Sequence, residues 1–339
     1  MSHAASAPAL VTVIGAGAWG TTLAWLLARN GHSVRLWARD ARLLDEVGER
    51  RVNARYLPGL RLPANVAPVH DLDEALGGEP IAFAAVPARA LRGVLRLSRR
   101  RPAAVVSCAK GVEPSSGAHG EPDFKRLSQV VAEELPGVPV AALSGPNLAA
   151  EIAAGLPAAT TVASRDHDLA RCVQDLLQQA TFRVYTSPDL VGVELAGVMK
   201  NVIALAAGIC DGLRLGDNAK STIITRGLAE TVRFGVRLGG TERTFYGLAG
   251  LGDIVATCAS PLSRNHRAGT LLAAGEAVDG PAIASLTAEG LGTVAAVHAF
   301  AAAHDVDLPI TAEVYRVAYE GKDPRRAIET LMSRERKAE

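Results

Sequence analysis

The chain has 339 residues, 48% of them hydrophobic and 21% charged, with a formal net charge of +1. That length allows two domains of ordinary size and a sizeable core. Near neutrality gives no reason to expect nucleic acid or an anionic membrane as partner. The four cysteines (Cys108, Cys172, Cys210, Cys258) lack CxxC spacing and the eight histidines form no HxxxH pair, so neither a disulfide framework nor a metal site is expected.

In chain order, the opening MSHAASAPA lacks a charged segment followed by an apolar one, so it does not read as a leader, and a reducing, cytoplasmic setting fits. No run of ~18 uninterrupted apolar residues suggests a membrane span. LVTVI (10–14) reads as a strand and runs into GAGAWG, with Gly15, Gly17 and Gly20 in GxGxxG spacing before a helical pattern. Gly15 permits a tight turn, Gly17 lets the backbone approach a pyrophosphate, and Gly20 permits close helix–strand packing. SVRLWA (33–38) is the second strand, followed by Arg39. A guanidinium there suits a 2′-phosphate and favours NADP over NAD, while Asp40 could serve the ribose. NVAPV (65–69), IAFAAV (81–86), AAVVSC (103–108), VPVAAL (138–143), ATTVAS (159–164) and FRVYT (182–186) complete a series of short apolar strands with helical runs between most of them. This is the pattern of an α/β, doubly wound, mainly parallel sheet. The arginine-rich LRLSRRRP (95–102) reads as a solvated helix end. Ligands of such sheets gather beyond the carboxyl ends of the strands, where Lys110, Gly145 and Asn147 fall.

After Tyr185 the periodicity is helical to about Arg334, with Ser187 as expected N-cap, Pro188 at the first helical position and Asp189 in the first turn. The expected division is a dinucleotide-binding domain at 8–190 and an all-α, substrate-binding domain at 191–335. Within GVMKNVIALAAG (197–208), Lys200 lies in an otherwise greasy helix, which is costly unless the cation has a partner or a task. Ala204, Ala207 and Asp211 share its face, and the small residues suggest a pocket wall. YGLAGLGD puts Asp253 in a glycine-rich turn, and SPLSRNHRAG puts Ser263, Arg264 and Asn265 at a helix start suited to phosphate.

Taken together, GAGAWGTTLA, AKG, SGPNLAAEIAAGLP, VELAGVMKNVIALAAGICDGL, NAKSTIITRGLAE, FYGLAGLGDIVATC, SRNHRAG and PIT-x-EVY resemble the bacterial NAD(P)-dependent glycerol-3-phosphate dehydrogenases over residues 10–335. The resemblance implies a Rossmann-type domain and a helical domain like the C-terminal one of 6-phosphogluconate dehydrogenase. It implies Lys200 as general acid/base with Asp253 beside it. Substrate would be held by Lys110, Gly145, Asn147, Lys200, Asp253, Ser263, Arg264 and Asn265. Cofactor would be held by the loop Gly15, Gly17, Ala18, Trp19 and Gly20 and by Arg39, Lys110, Ala149, Arg264, Thr287 and Glu289. Asn147 stands where the family often has Thr or Ser. Further implications are reduction of dihydroxyacetone phosphate for phospholipid synthesis, NADP(H) or NAD(H) as cofactor, and a homodimer. Two rival readings are another hydroxy-acid or sugar-acid dehydrogenase of the same architecture and a non-catalytic NAD(P)-binding sensor.

Overall fold

A computed structural model describes residues 8–335, so the part of the leader reading that falls on residues 1–7 lies outside it. The strands are β1 (Leu10–Ile14), β2 (Ser33–Trp37), β3 (Val52–Asn53), β4 (Leu57–Arg61), β5 (Val66–Val69), β6 (Ile81–Ala84), β7 (Ala104–Ser107), β8 (Val112–Ser116), β9 (Pro122–Arg126), β10 (Val140–Ser144), β11 (Ala158–Ser164) and β12 (Phe182–Ser187). Eight of them form one sheet in the order β12-β11-β10-β7-β6-β1-β2-β5. All eight strands expected from the sequence are in it. The six from β5 to β10 are parallel, and the order reverses between β1 and β6. That is the doubly wound arrangement, with its switch point beside the glycine loop. The join of β10 to β11 is antiparallel, and β12 then runs parallel to β11.

Burial explains the apolar strands. Val11 and Val13 of β1 and Phe83 of β6 are fully buried in a cluster with Leu23, Leu26 and Leu27 of the helix Ala18–Arg29. Two hairpins, β3–β4 and β8–β9, were not anticipated. Their short segments carry Pro, Gly and charged residues and show no apolar alternation.

The described residues fold into two compact units, 8–109 with 126–193, and 110–125 with 194–335. After β12 the described residues contain helices and no strand. The expected N-cap is corrected. Ser187 ends β12, and the Asp189 carboxylate instead accepts from the Gly192 N–H at 2.8 Å at the start of the helix Leu190–Gly212. This helix has 23 residues and is apolar enough, by length and composition, to cross a membrane, which the sequence did not lead us to expect. Its most apolar window is 83% buried inside the protein, as befits a core helix. A bent pair, Glu242–Ala259 with Arg264–Ala273, meets the same test only when counted together.

The pocket-wall expectation is corrected as well. Ala204 and Ala207 are fully buried in an apolar cluster with Ala268 and Leu272 of the helix Arg264–Ala273. The two helices cross at backbone contact. A Cβ on Gly208 would lie 2.0 Å from the His266 carbonyl oxygen, and one on Gly269 would lie 2.1 Å from that of Leu205. Asp211 sits at the far end of the helix from Lys200, paired with Lys220 at 2.7 Å and with His266 at 2.8 Å.

Candidate active site

In the first unit the glycine loop has the geometry its spacing suggested. Gly15 has φ +110°, and a Cβ there would come 2.6 Å from the Ala85 carbonyl oxygen. A Cβ on Gly20 would lie 1.8 Å from the Gly15 carbonyl oxygen, so helix and strand meet at backbone distance. Around Gly17, by contrast, no atom would lie within 4 Å of a Cβ. The helix that begins there has no side-chain cap and no acidic residue in its first turn. Its positive end therefore faces open space next to half-buried Ala18 and Trp19, which fits a diphosphate. The loop is braced by fully buried Asn53 of β3, whose amide donates to the Ala16 carbonyl at 2.9 Å and the Thr21 hydroxyl at 2.7 Å. No sequence signal singled Asn53 out, because the brace comes from a hairpin 37 positions away.

Arg39 is exposed just past β2. Asp40 caps the next helix through the Leu43 N–H at 3.4 Å and faces Arg55 at 3.4 Å. At the end of β10, Gly145 has φ +153°, and a Cβ there would press on Thr160 at 3.0 Å. Asn147 donates to the Thr160 hydroxyl at 3.0 Å, while its own Oδ1 is buried without a hydrogen-bond partner. A buried acceptor left open is costly. Ala149 begins a short helix, and its carbonyl accepts from the Thr22 hydroxyl at 3.4 Å.

The second unit gathers the titratable residues. Asp253 opens the helix Asp253–Ala259 and is 2% exposed. It comes after a π-helical turn, Leu248–Gly252, where the sequence suggested an ordinary turn. Gly250 makes that turn possible, since a Cβ would lie 2.0 Å from the Phe245 carbonyl oxygen. One Asp253 oxygen accepts from Lys110 Nζ, and the other accepts from Lys200 Nζ at 3.3 Å. Thr257, one turn along, accepts from Lys200 at 3.0 Å and donates to Asp253 at 3.1 Å. Two ammonium groups and a hydroxyl thus converge on one carboxylate. Burial pushes the Lys110 pKa down to about 8, the Asp253 charge opposing this and the nearby Lys200 charge adding to it. Burial also resists ionisation of Asp253, but the Lys110 and Lys200 charges outweigh it and hold the carboxyl below its usual range.

A second network runs through amides. Asn201 donates to the Lys110 carbonyl at 2.9 Å and accepts from the Asn265 amide at 2.8 Å. The Asn265 Oδ1 accepts from the Gly290 N–H at 3.0 Å. Ser263 caps its helix, accepting from the His266 N–H at 3.2 Å. Exposed Arg264 donates to the Thr287 hydroxyl at 2.8 Å. Thr287 has φ +47°, an unfavourable region for a β-branched residue, and Glu289 opens the next helix close enough to act on the charge of Lys110. The unit therefore assembles Lys110, Lys200, Asp253, Ser263, Arg264, Asn265, Thr287 and Glu289. Gly15, Gly17, Ala18, Trp19, Gly20, Arg39, Gly145, Asn147 and Ala149 belong to the first unit. Thr257 and Asn201 were missed as site residues, although a hydroxyl at i+4 from Asp253 and the amide beside Lys200 were there to be read.

Two family models match the chain: the N-terminal region of NAD-dependent glycerol-3-phosphate dehydrogenase over residues 10–170 and its C-terminal region over residues 189–329. The glycerol-3-phosphate dehydrogenase [NAD(P)+] of Geobacillus thermodenitrificans is 46% identical over 97% of this chain and 96% of its own. Among solved structures, the glycerol-3-phosphate dehydrogenase of Coxiella burnetii matches with TM-score 0.88 and 38% identity over 96% of this chain and 99% of that one. The Saccharomyces cerevisiae enzyme matches with TM-score 0.81 and 30% identity over the same shares. Glycine loop, paired lysines and full-length similarity lead to one conclusion: the chain belongs to the NAD-dependent glycerol-3-phosphate dehydrogenase family.

Proposed function

We propose that this chain catalyses the reversible NAD(P)H-dependent reduction of dihydroxyacetone phosphate to sn-glycerol 3-phosphate, with Lys200 as general acid/base. The observation that carries the reading is the convergence of Lys110 and Lys200 on the buried Asp253 carboxylate. Lys110, Lys200 and Arg264 against the Asp253 and Glu289 carboxylates leave one net positive charge. That excess suits a phosphate dianion attached to a small ketone.

Gly15, Gly17, Ala18, Trp19, Gly20, Arg39 and Ala149 would hold the dinucleotide together with Lys110, Arg264, Thr287 and Glu289. When bound, it supplies the hydride or takes it up. Arg264 and the first N–H groups of its helix bind the phosphate and fix the carbonyl in place. The Asn265 carbonyl oxygen is engaged by Gly290 and one amide hydrogen by Asn201, so its contribution comes from the second amide hydrogen and the backbone. Lys110 and the open Oδ1 of Asn147 orient the rest of the substrate. Protonated Lys200 gives its proton to the developing alkoxide, and in reverse the neutral amine takes the hydroxyl proton. Asp253 and Thr257 aim the ammonium, the carboxylate offsetting its charge, and Lys200 regains its proton from water between turnovers.

The division of labour proposed is 8–190 for the dinucleotide and 191–335 for the substrate, with the excursion 110–125 grouped with the helices it packs against. A preference for NADP(H) rests on exposed Arg39. Cytoplasmic location, a part in phospholipid synthesis and a homodimer rest on the family resemblance. Sedimentation at twice the 35.2 kDa chain mass checks the last.

A grid of NADPH and NADH against dihydroxyacetone phosphate and a panel of keto acids tests the activity. Turnover confined to the phosphorylated ketone is expected, with kcat in Lys200→Ala lower by roughly 10²- to 10⁴-fold. Preference for a non-phosphorylated acid would instead favour the hydroxy-acid dehydrogenase reading. Cofactor binding without turnover would favour the sensor.

A further inference from the structure

Lys110 lies three positions past β7, yet its partners are in the helical unit. Cys108 still belongs to the sheet, its N–H donating to the Ala84 carbonyl at 2.9 Å. Two residues later the Lys110 carbonyl accepts from Asn201 at 2.9 Å and its ammonium meets Asp253. The chain then runs out along β8, turns at Gly117–Gly120 and returns along β9. The whole segment 110–125 packs as part of the helical unit.

One apolar side chain anchors the returning strand. Phe124 is 7% exposed although its neighbours Asp123, Lys125 and Arg126 are polar. Its ring lies 5.8 Å from that of Phe234, on the helix Gly216–Arg237, and 5.0 Å edge-on from that of Phe300, on the helix Glu289–Ala303. Phe234 and Phe300 themselves meet edge to face at 5.9 Å. The strand has five residues and a two-stranded hairpin is marginal alone, so this three-ring cluster supplies the burial that keeps the hairpin in place.

We propose that Phe124 is a positioning residue for Lys110: the β8–β9 hairpin is a strap, pinned at its root by Asn201 and at its return by the Phe124–Phe234–Phe300 cluster, that holds Lys110 against Asp253. The inference rests on the reading of Lys110 as a substrate contact. Its test therefore has one readout that does not depend on turnover.

The experiment compares the full-length wild type with Phe124→Leu and Phe124→Ala. Acetic anhydride labelling is run at a pH of about 10.5, where released lysines are also largely neutral so that access and not ionisation sets the rate. It is resolved by lysine, and kcat, KM and cofactor affinity are measured in parallel. Lys110 is 15% exposed at its side chain, against 24% for Lys220 and 25% for Lys322, which serve as internal controls. In Phe124→Ala, labelling of Lys110 should rise several-fold above the change at Lys220 and Lys322. In parallel kcat should fall roughly tenfold or more, the cost of a misplaced group, with NADPH affinity unchanged. Phe124→Leu, which still fills the space between the rings, should restore both. Should Phe124→Ala not fold, Phe124→Val carries the same comparison. Labelling of Lys110 at the wild-type rate in a folded variant, or a rise shared equally by all three lysines, overturns the strap. A selective rise at Lys110 with unchanged kcat upholds the strap and removes Lys110 from the reaction instead.

Discussion

Lys110 changes its charge within a pH range that the enzyme can be assayed in. Its folded-state pKa is about 8, below the ordinary lysine value because of burial. It therefore loses its proton in the folded protein at a pH where an unfolded chain would keep it, and between about 8 and the usual lysine value stability rises with pH at this position. Substrate binding takes the opposite course. The ammonium form attracts a phosphorylated ketone, so KM should climb as pH passes through about 8, and Lys110→Arg, whose guanidinium stays charged, should move that limb to higher pH. A pH-independent KM between 7 and about 9.5 would remove Lys110 from substrate recognition. At this scale the sequence was informative where an ionisable residue is odd in its window. A lysine within GVMKNVIALAAG and an aspartate after GLAGLG stand out, and both reach one carboxylate–ammonium cluster. Asn53, Thr257 and Asn201 did not stand out, because a buried polar residue is recognised by its partners, and those lie on other elements.

Among the elements, the strands were legible because apolar runs buried on both faces leave little else to read. The hairpins were not, since the buried apolar residues of β8–β9, Val112 and Phe124, are isolated and form no alternating pattern. The small residues of the helix Leu190–Gly212 were read as room for a ligand and proved to be room for another helix, an ambiguity that no single chain segment resolves. The motif GLAE found its partner in PIT. Glu230, 2% exposed, accepts from the N–H groups of Ile310 and Thr311 and from the Thr311 hydroxyl at the start of the helix Pro309–Tyr319. Burial raises its pKa to about 7 against the pull of those donors. A carboxyl whose folded pKa is raised gives stability that is present below the unfolded value, near 4.5, and lost as pH climbs through about 7. Thermal melts from pH 4.5 to 7.5 should show this decline in the wild type relative to Glu230→Gln, which has no proton to lose. Parallel curves for the two proteins would show that Glu230 titrates alike in the folded and the unfolded chain.

Over the whole molecule, the order of elements announced an α/β domain and then helices, and the several motifs in register announced the family. The grouping of residues 110–125 with the helices could not be seen that way, because it depends on packing rather than on chain order. Cofactor binding should be visible in global stability. A ligand at about 100 times its Kd adds roughly 2.7 kcal/mol to a protein that binds it only when folded. NADPH should raise the melting temperature accordingly. Arg39→Asp should shrink the NADPH shift more than the NADH shift, and equal losses would deny Arg39 a 2′-phosphate role.

The π-helical turn Leu248–Gly252 has an arithmetic meaning. Each residue added to a helix or removed from it rotates the remainder of that helix by about 100°. Asp253 and Thr257 share one orientation because both lie beyond the same wide turn, so the aim of the carboxylate and that of the hydroxyl are set jointly by how many residues precede them. Substituting either side chain changes one contact. Dropping a single residue upstream would swing both away from the lysines at once, with every side chain of the cluster still present in the sequence.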